Sequence, residues 1–215
     1  MGTSNNDTLV KLITKLVMEE LYGMSTQIPI GVSNKHIHLS RKDMDALFGE
    51  GSELTPIKDL GQPGQYACAE TVAVKGPKGE FARVRVLGPL RKESQVELSK
   101  TDARSIGIKA PIRESGVLEG TPGVELVGPA GSVMLERGAI VALRHIHMTP
   151  EQAKQWGLKD KDVVDVKVNG GERAGILGNV IVRVSDKFAL EMHVDTDEAN
   201  ACCLDNNDTV SIIRK

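Results

Sequence analysis

The chain writes one six-residue phrase twice. Lys35-His36-Ile37-His38-Leu39-Ser40 returns as Arg144-His145-Ile146-His147-Met148-Thr149: a basic residue, His-Ile-His, a long apolar residue and a hydroxyl. Four of the five histidines lie in these two copies. Apolar runs lead into both, with Val32 ahead of the first and Val141 ahead of the second, so each His-Ile-His reads as the end of a strand. In a strand, residues i and i+2 share a face. Each copy therefore presents two imidazoles side by side, a ready chelate for a borderline metal such as zinc. Both copies then run into a helix start. Ser40 reads as an N-cap with Asp43 at N3, and Thr149-Pro150-Glu151-Gln152 as N-cap, proline at N1 and glutamine at N3. The pattern strand, His-x-His, capped helix predicts an internal duplication of a small β-rich unit that brings two chelates together.

Short β runs fill the rest of the chain. They are read at 28–39, Tyr66–Val74, Phe81–Leu87, Gln95–Leu98, Val124–Val127, Ser132–Leu135 and Ile140–Arg144. After the second copy come Val163–Val168, Ile181–Val184, Glu191–Val194 and Val210–Ile213. Turns such as Gly76-Pro77-Lys78-Gly79 and Asn169-Gly170-Gly171 separate them. Residues 49–66, rich in glycine and proline, read as a loop or small hairpin. A short helix is expected from Thr101 to Gly107, and Gly157 closes the helix begun at Thr149. Many short strands and few helices predict a mainly β fold: two small β-barrels with short capping helices. Aromatics make up 3% of the residues, so the cores must be built from valine, isoleucine, leucine and alanine. Ahead of them, Leu9, Leu12, Ile13, Leu16, Val17 and Leu21 sit at helical spacing. Residues 7–22 are thus expected to form an amphipathic helix, ending at Gly23 and followed by a polar linker. It could pack on its own domain or dock on another protein.

A net charge of −2 gives no basic field for nucleic acid. No apolar run reaches the ~18 residues of a membrane span, and no secretory signal is present. The three cysteines include the adjacent pair Cys202-Cys203 and form neither a disulfide framework nor a Cys-x-x-Cys zinc site, which favours a cytoplasmic location.

His193 adds a third imidazole to His145 and His147, and three imidazoles with one open position are the layout of a catalytic zinc site. The first copy needs a carboxylate as third ligand, for which Glu97, Glu70 and Asp43 are candidates that spacing does not separate. Hydrogen-bonded structural histidines, or a purely structural metal, are the plainer alternatives. A cupin-like His145, His147, Glu151 set conflicts with the role of Glu151 in a helix start, and a metallo-β-lactamase motif is absent. On the Gly88-Pro89 turn, Arg91 stands where it can fork a phosphate, just ahead of the strand carrying Glu97. There is no P-loop and no dinucleotide fingerprint. No Ser-His-Asp or Cys-His nucleophile stands out, and Cys68 and Cys202 have no base beside them in sequence.

Taken together, Ile30–Ser40, Leu87–Arg91, Gln95–Ser99, Thr101–Ala103, Arg144–Thr149 and Met192–Asn200 resemble the PduL-type phosphate acyltransferases, or phosphate propanoyltransferases. The resemblance runs from about Ile28 to near the C-terminus. It implies an enzyme that interconverts acyl-CoA plus phosphate with acyl phosphate plus coenzyme A, for a short acyl group, propanoyl or acetyl. It implies two zinc ions per chain, one held by His36, His38 and Glu97 and the other by His145, His147 and His193. Arg91 would be the catalytic, phosphate-binding residue, and Ser33, Lys58, Arg85, Leu87 and Asn200 would line the substrate pocket. One barrel would take residues 28–34 with 144–215 and the other 35–143, with an insert at about 49–69 that contacts a partner subunit of a homodimer or higher homo-oligomer. Residues 1–27 would be a targeting helix and linker, with 7–22 binding shell or cargo proteins of a bacterial microcompartment. Outside the resemblance, the residues also allow a metal-dependent thioester hydrolase or a metal-holding structural adaptor.

Overall fold

The computed structural model describes residues 27–169 and 171–213, with Leu9, Val10, Ile13 and Val17 ahead of them. Those four are helical and about half exposed, from 45% at Val17 to 61% at Val10. The remainder of the expected 7–22 helix and the turn residue Gly170 lie outside the described residues. Among the described residues no helix is long and apolar enough to cross a membrane.

The fold is mainly β and is built as two units. The first is a closed barrel of β1 (Gln27–Ser33), β14 (Glu191–Asp195), β11 (His145–Met148), β13 (Ile176–Val184), β12 (Val163–Val168) and β15 (Thr209–Ile213), in that order. The second is a curled nine-stranded sheet. Its path runs β7 (Ile112–Arg113), β10 (Ala139–Ala142), β6 (Gln95–Glu97), β2 (His36–His38), β5 (Glu80–Gly88), β4 (Tyr66–Lys75), β8 (Val124–Val127) and β9 (Ser132–Leu135). The ninth strand, β3 (Pro56–Asp59), pairs with β4 off this path. Short helices α1 (Arg41–Phe48), α2 (Lys100–Ser105), α3 (Pro150–Trp156) and α4 (Thr196–Cys202) cap the strands.

Each unit has its own aliphatic core. Ile37 belongs to that of the sheet and Ile146 to that of the barrel. Both are fully buried, and burying an isoleucine side chain contributes about 1.5–3 kcal/mol. That burial fixes which face of each strand carries the histidines. A one-residue slip would put imidazoles into the cores and expose the isoleucines.

The duplication extends well beyond the His pairs. In the sheet, antiparallel β2 and β6 set His36 opposite Glu97, Ile37 opposite Val96 and His38 opposite Gln95. In the barrel, antiparallel β11 and β14 set His145 opposite His193, Ile146 opposite Met192 and His147 opposite Glu191. A capped helix follows each ligand strand: Ser99 caps α2 and Asp195 caps α4 through the N3 amides of Asp102 and Glu198. Those N3 acids bind the basic residue ahead of each His pair, Lys35 to Asp102 at 3.1 Å and Arg144 to Glu198 at 3.2 Å. The predicted caps on the other two helices also form. The Ser40 side chain accepts from the Asp43 amide, and Thr149 with Gln152 makes a full capping box.

The strand that leads into each His pair lies in the opposite unit. β1 precedes the first pair, yet it pairs with β14 and β15 of the barrel. β10 precedes the second pair, yet it pairs with β6 and β7 of the sheet. The chain therefore crosses between units just before each His-Ile-His, and both pairs sit at the seam.

Three elements differ from the sequence expectation. Residues 56–59 form β3, the exposed first arm of the small hairpin expected within 49–66, whereas the two-residue strand β7 is unexpected, since both its residues are exposed. Helix α4 buries only Ala199 and so has no apolar stripe. Strand β13 begins at Ile176, well ahead of the expected Ile181, because Gly178 and Asn179 interrupt its apolar pattern.

Candidate metal centres and the cavity between the units

Six donors form two triads at the seam. His36, His38 and Glu97 make one, and His145, His147 and His193 the other; within each, the candidate ligand atoms lie within 4.8 Å of one another. The cross-strand register does this directly, since Glu97 and His193 face the first histidine of their respective pairs. Of the three candidate carboxylates, the fold brings Glu97 to the first pair. Asp43 is taken up by the Ser40 and Ser94 hydroxyls at the α1 cap, and Glu70 accepts from the Thr55 amide.

The rings are held for ligation. His36 Nδ1 donates to the Asn34 carbonyl and His145 Nδ1 to the Leu143 carbonyl, each at 2.8 Å and each two residues back. His38 Nδ1 donates to the Leu87 carbonyl at 3.1 Å. With Nδ1 protonated, Nε2 keeps its lone pair, the tautomer a metal requires. His147 is buried with neither ring nitrogen hydrogen-bonded, its ring stacked on Phe188 at 4.1 Å between centroids. Burying such a group unpaired is costly, and a metal would satisfy it. The donor set fits a metal on this ground.

Burial and neighbouring charges keep four of the six donors unprotonated. Burial, with repulsion from His36 and Arg91, lowers His38 to about 3. Burial and His193 lower His145 to about 4, and burial with His145 and His193 lowers His147 to about 2. Burial pushes Glu97 up, but His36, His38, Ser115 and Arg91 outweigh it and hold the carboxyl at about 2. At neutral pH His38, His145 and His147 are thus neutral imidazoles and Glu97 is a carboxylate.

Both triads line one cavity of about 390 Å³. Arg91 reaches it from the turn after β5, held by its Nη1 donation to Ser115 Oγ at 2.9 Å. Ser115 in turn donates to Glu97 Oε1 at 2.9 Å. Burial lowers Arg91, and Glu97 supports its charge against repulsion from the like charge of Arg183. Ser33 and Leu87 also line the cavity. Lys58 on β3, Arg85 on β5 and Asn200 on α4 are not among its walls; Arg85 Nη1 instead donates to the Cys68 and Ala69 carbonyls. Cys68 is fully buried, and burial with Glu70 nearby raises its thiol to about 11.

Sequence reasoning passed over Arg183, Lys187 and Gln62, which line the same cavity. Arg183 lies opposite His147 on parallel β13. Its only signal is a cation between Val182 and Val184, which looks like an ordinary half-exposed strand. Gln62 comes from the loop between β3 and β4 and bonds across the seam to the Ala189 carbonyl at 3.0 Å.

A cleft between two β units, with two donor triads and two arginines, suits group transfer involving an anionic substrate. Comparison with known proteins gives the class as an acyltransferase enzyme. A model of the phosphate propanoyltransferase family matches residues 29–205. A protein of that name from Thermotoga maritima is 55% identical over 199 residues, 91% of this chain and 95% of its own. The Rhodobacter capsulatus protein of the same name is 52% identical over 205 residues, 94% of this chain and 95% of its own. The chain belongs to the phosphate propanoyltransferase family.

Proposed function

We propose that this chain interconverts a short acyl-CoA, propanoyl or acetyl, plus phosphate with the acyl phosphate plus coenzyme A. The observation that carries it is the convergence of both donor triads with Arg91 and Arg183 on one cavity. His36, His38 and Glu97 would hold one zinc and His145, His147 and His193 the other. Bound zinc supplies Lewis acidity, polarising the thioester carbonyl and offsetting phosphate charge.

The chain's own residues have three tasks in this reading. Arg91, fixed by Ser115, forks a phosphate oxygen pair. Arg183 adds a second positive charge near that site, which matters because phosphate must approach a substrate that itself carries phosphates. Holding the two reactants together supplies most of the rate gain. Phosphate attacks the thioester carbonyl, the acyl–sulfur bond breaks, an acyl–oxygen bond forms, and the proton of hydrogen phosphate ends on the coenzyme A thiol. The buried Cys68 thiol, raised to about 11, is a poor nucleophile, which supports direct attack over an acyl-enzyme.

The domain division 28–34 with 144–215 against 35–143 is part of the proposal, supported by the strand order of the two units. So is a homo-oligomer contact through residues 49–69, supported by the exposed β3 and by Ile57 at 55% exposure. The exposed apolar residues Leu9, Val10, Ile13 and Val17 support docking of the 7–22 segment on microcompartment shell or cargo proteins, and a location inside such a compartment in the cytoplasm.

The test is release of coenzyme A from propanoyl-CoA and acetyl-CoA with and without phosphate. Phosphate-dependent release that a chelator abolishes and zinc restores is expected. Release without phosphate would instead mark a thioester hydrolase, and no release a structural role.

A further inference from the structure

Glu191 is not among the six triad residues, yet the fold makes room for it from three sides. Its carboxylate oxygen Oε2 lies 2.9 Å from His193 Nε2, without the alignment of a straight hydrogen bond. A Cβ at Gly31 would come within 2.8 Å of Glu191 Oε1, and one at Gly61 would run into the same carboxylate. Gln62, itself 6% exposed, donates to Glu191 Oε2 at 2.8 Å, and its side-chain oxygen accepts from the Ala189 amide at 3.2 Å. Two glycines from different units and a buried amide thus surround one carboxylate that faces one imidazole.

The duplicated register gives this contact a meaning. Glu191 stands opposite His147 as Gln95 stands opposite His38. In the sheet, the Gln95 amide donates to the ligand carboxylate Glu97 at 2.5 Å. In the barrel the polarities are exchanged. The ligand is an imidazole, and the group behind it is an anion that can only accept. A neutral donor suits an anionic ligand, and an anionic acceptor suits an imidazole ligand whose other ring N–H needs a partner. A carboxylate behind a metal-bound histidine fixes the ring's tautomer and raises its basicity.

We propose that Glu191 is a positioning residue for the second metal centre. It holds His193 through Nε2, leaving Nδ1 as the ligand that joins His145 and His147. This rests on the two-zinc reading above. Gln62 holds Glu191 in turn, so the loop carried on the sheet completes a centre built by the barrel.

The experiment is a zinc titration of the full chain in competition with a chromophoric chelator, read as two separate affinities. His38→Ala, which removes the first centre, identifies the second. Glu191→Ala is expected to weaken the second site about 10–100-fold and to leave the first unchanged. Glu191→Gln keeps the shape and an accepting oxygen but no charge, and should recover part of that loss. Should Glu191→Ala fail to fold, Glu191→Gln alone still reads the charge, with a weakening of about tenfold expected. Second-site affinity within threefold of wild type in the folded variants overturns the role of Glu191 while the two-zinc reading stands. A wild-type chain that takes up fewer than two zinc ions overturns the two-zinc reading, and this proposal with it.

Discussion

The two His-Ile-His centres share a scaffold and differ in where they keep their negative charge. Each has a buried isoleucine between its histidines, an Nδ1 hydrogen bond to the carbonyl two residues back, and a facing antiparallel strand that supplies the third donor. In the sheet the carboxylate, Glu97, belongs to the donor triad itself. In the barrel the triad is all imidazole, and the carboxylate, Glu191, lies behind the His193 ring, two residues earlier on the same strand. A charge in contact with a metal neutralises it far more than one across an imidazole ring, because Coulomb energy falls with distance. The two units thus repeat one chelate, and under the two-zinc proposal the change from Gln-x-Glu to Glu-x-His on one strand would make the two metals unequal in electrophilicity.

The sharpest way to break this comparison is to remove a ligand from one side. His145→Ala should lower zinc content from two per chain to one and cut turnover by about 10³-fold or more, as loss of several kcal/mol of charge stabilisation implies. Metal analysis beside the coenzyme A release assay checks both. Content that stays at two, or falls to none, would contradict independent centres. Next in size, Arg91→Ala should raise the phosphate KM and lower turnover about 10²–10³-fold, measured by steady-state kinetics across phosphate concentrations. Unchanged phosphate kinetics would remove Arg91 from its role.

Acid should also separate the metal-free protein from the loaded one. His38, His145 and His147 have folded values of about 3, 4 and 2, against 6.5 for an ordinary histidine. As pH falls below about 6.5, the unfolded chain takes up protons that the folded chain refuses, so stability declines. Glu97, lowered to about 2, loses its stabilising contribution in the same direction below the usual carboxylate range. Between pH 7 and pH 5 the chelated protein should lose on the order of 10 °C in melting temperature. Zinc should shift that decline to lower pH, as calorimetry with and without metal can show. The smallest effect is expected from Ser115→Ala, which leaves both Arg91 and Glu97 in place but removes the hydroxyl that joins them. The lost hydrogen bonds amount to about 1 kcal/mol, so the phosphate KM should rise only about fivefold.

Much of this was legible in the sequence because it is local. The repeated phrase located both His pairs, Ser40 and Thr149 announced their helices, and alternating valines gave most strands. What was not legible depends on pairing between distant strands. Glu97, Glu70 and Asp43 are equivalent carboxylates until β6 is laid against β2, which sets Glu97 opposite His36. Arg183 and Glu191 read as ordinary polar positions of strands, and only parallel β13 and antiparallel β14 turn them toward the seam. Gln62 sits in a glycine- and proline-rich loop whose sequence does not say that it crosses to the other unit.

The exchange of leading strands has a consequence for how such a chain can be made. Ile30 finds its partner only at Met192, and Val96 finds one at Ala139. During synthesis the sheet can assemble as soon as β10 has emerged, while β1 must wait, an exposed and unpaired apolar strand, until nearly the whole chain exists. Contacts of such long sequence separation form slowly, and unpaired strands invite association with other chains. The barrel, closed by β14 and β15, is therefore the last part of the molecule to be completed, and a chain stalled short of β14 lacks both the partner of Ile30 and His193 of the second triad.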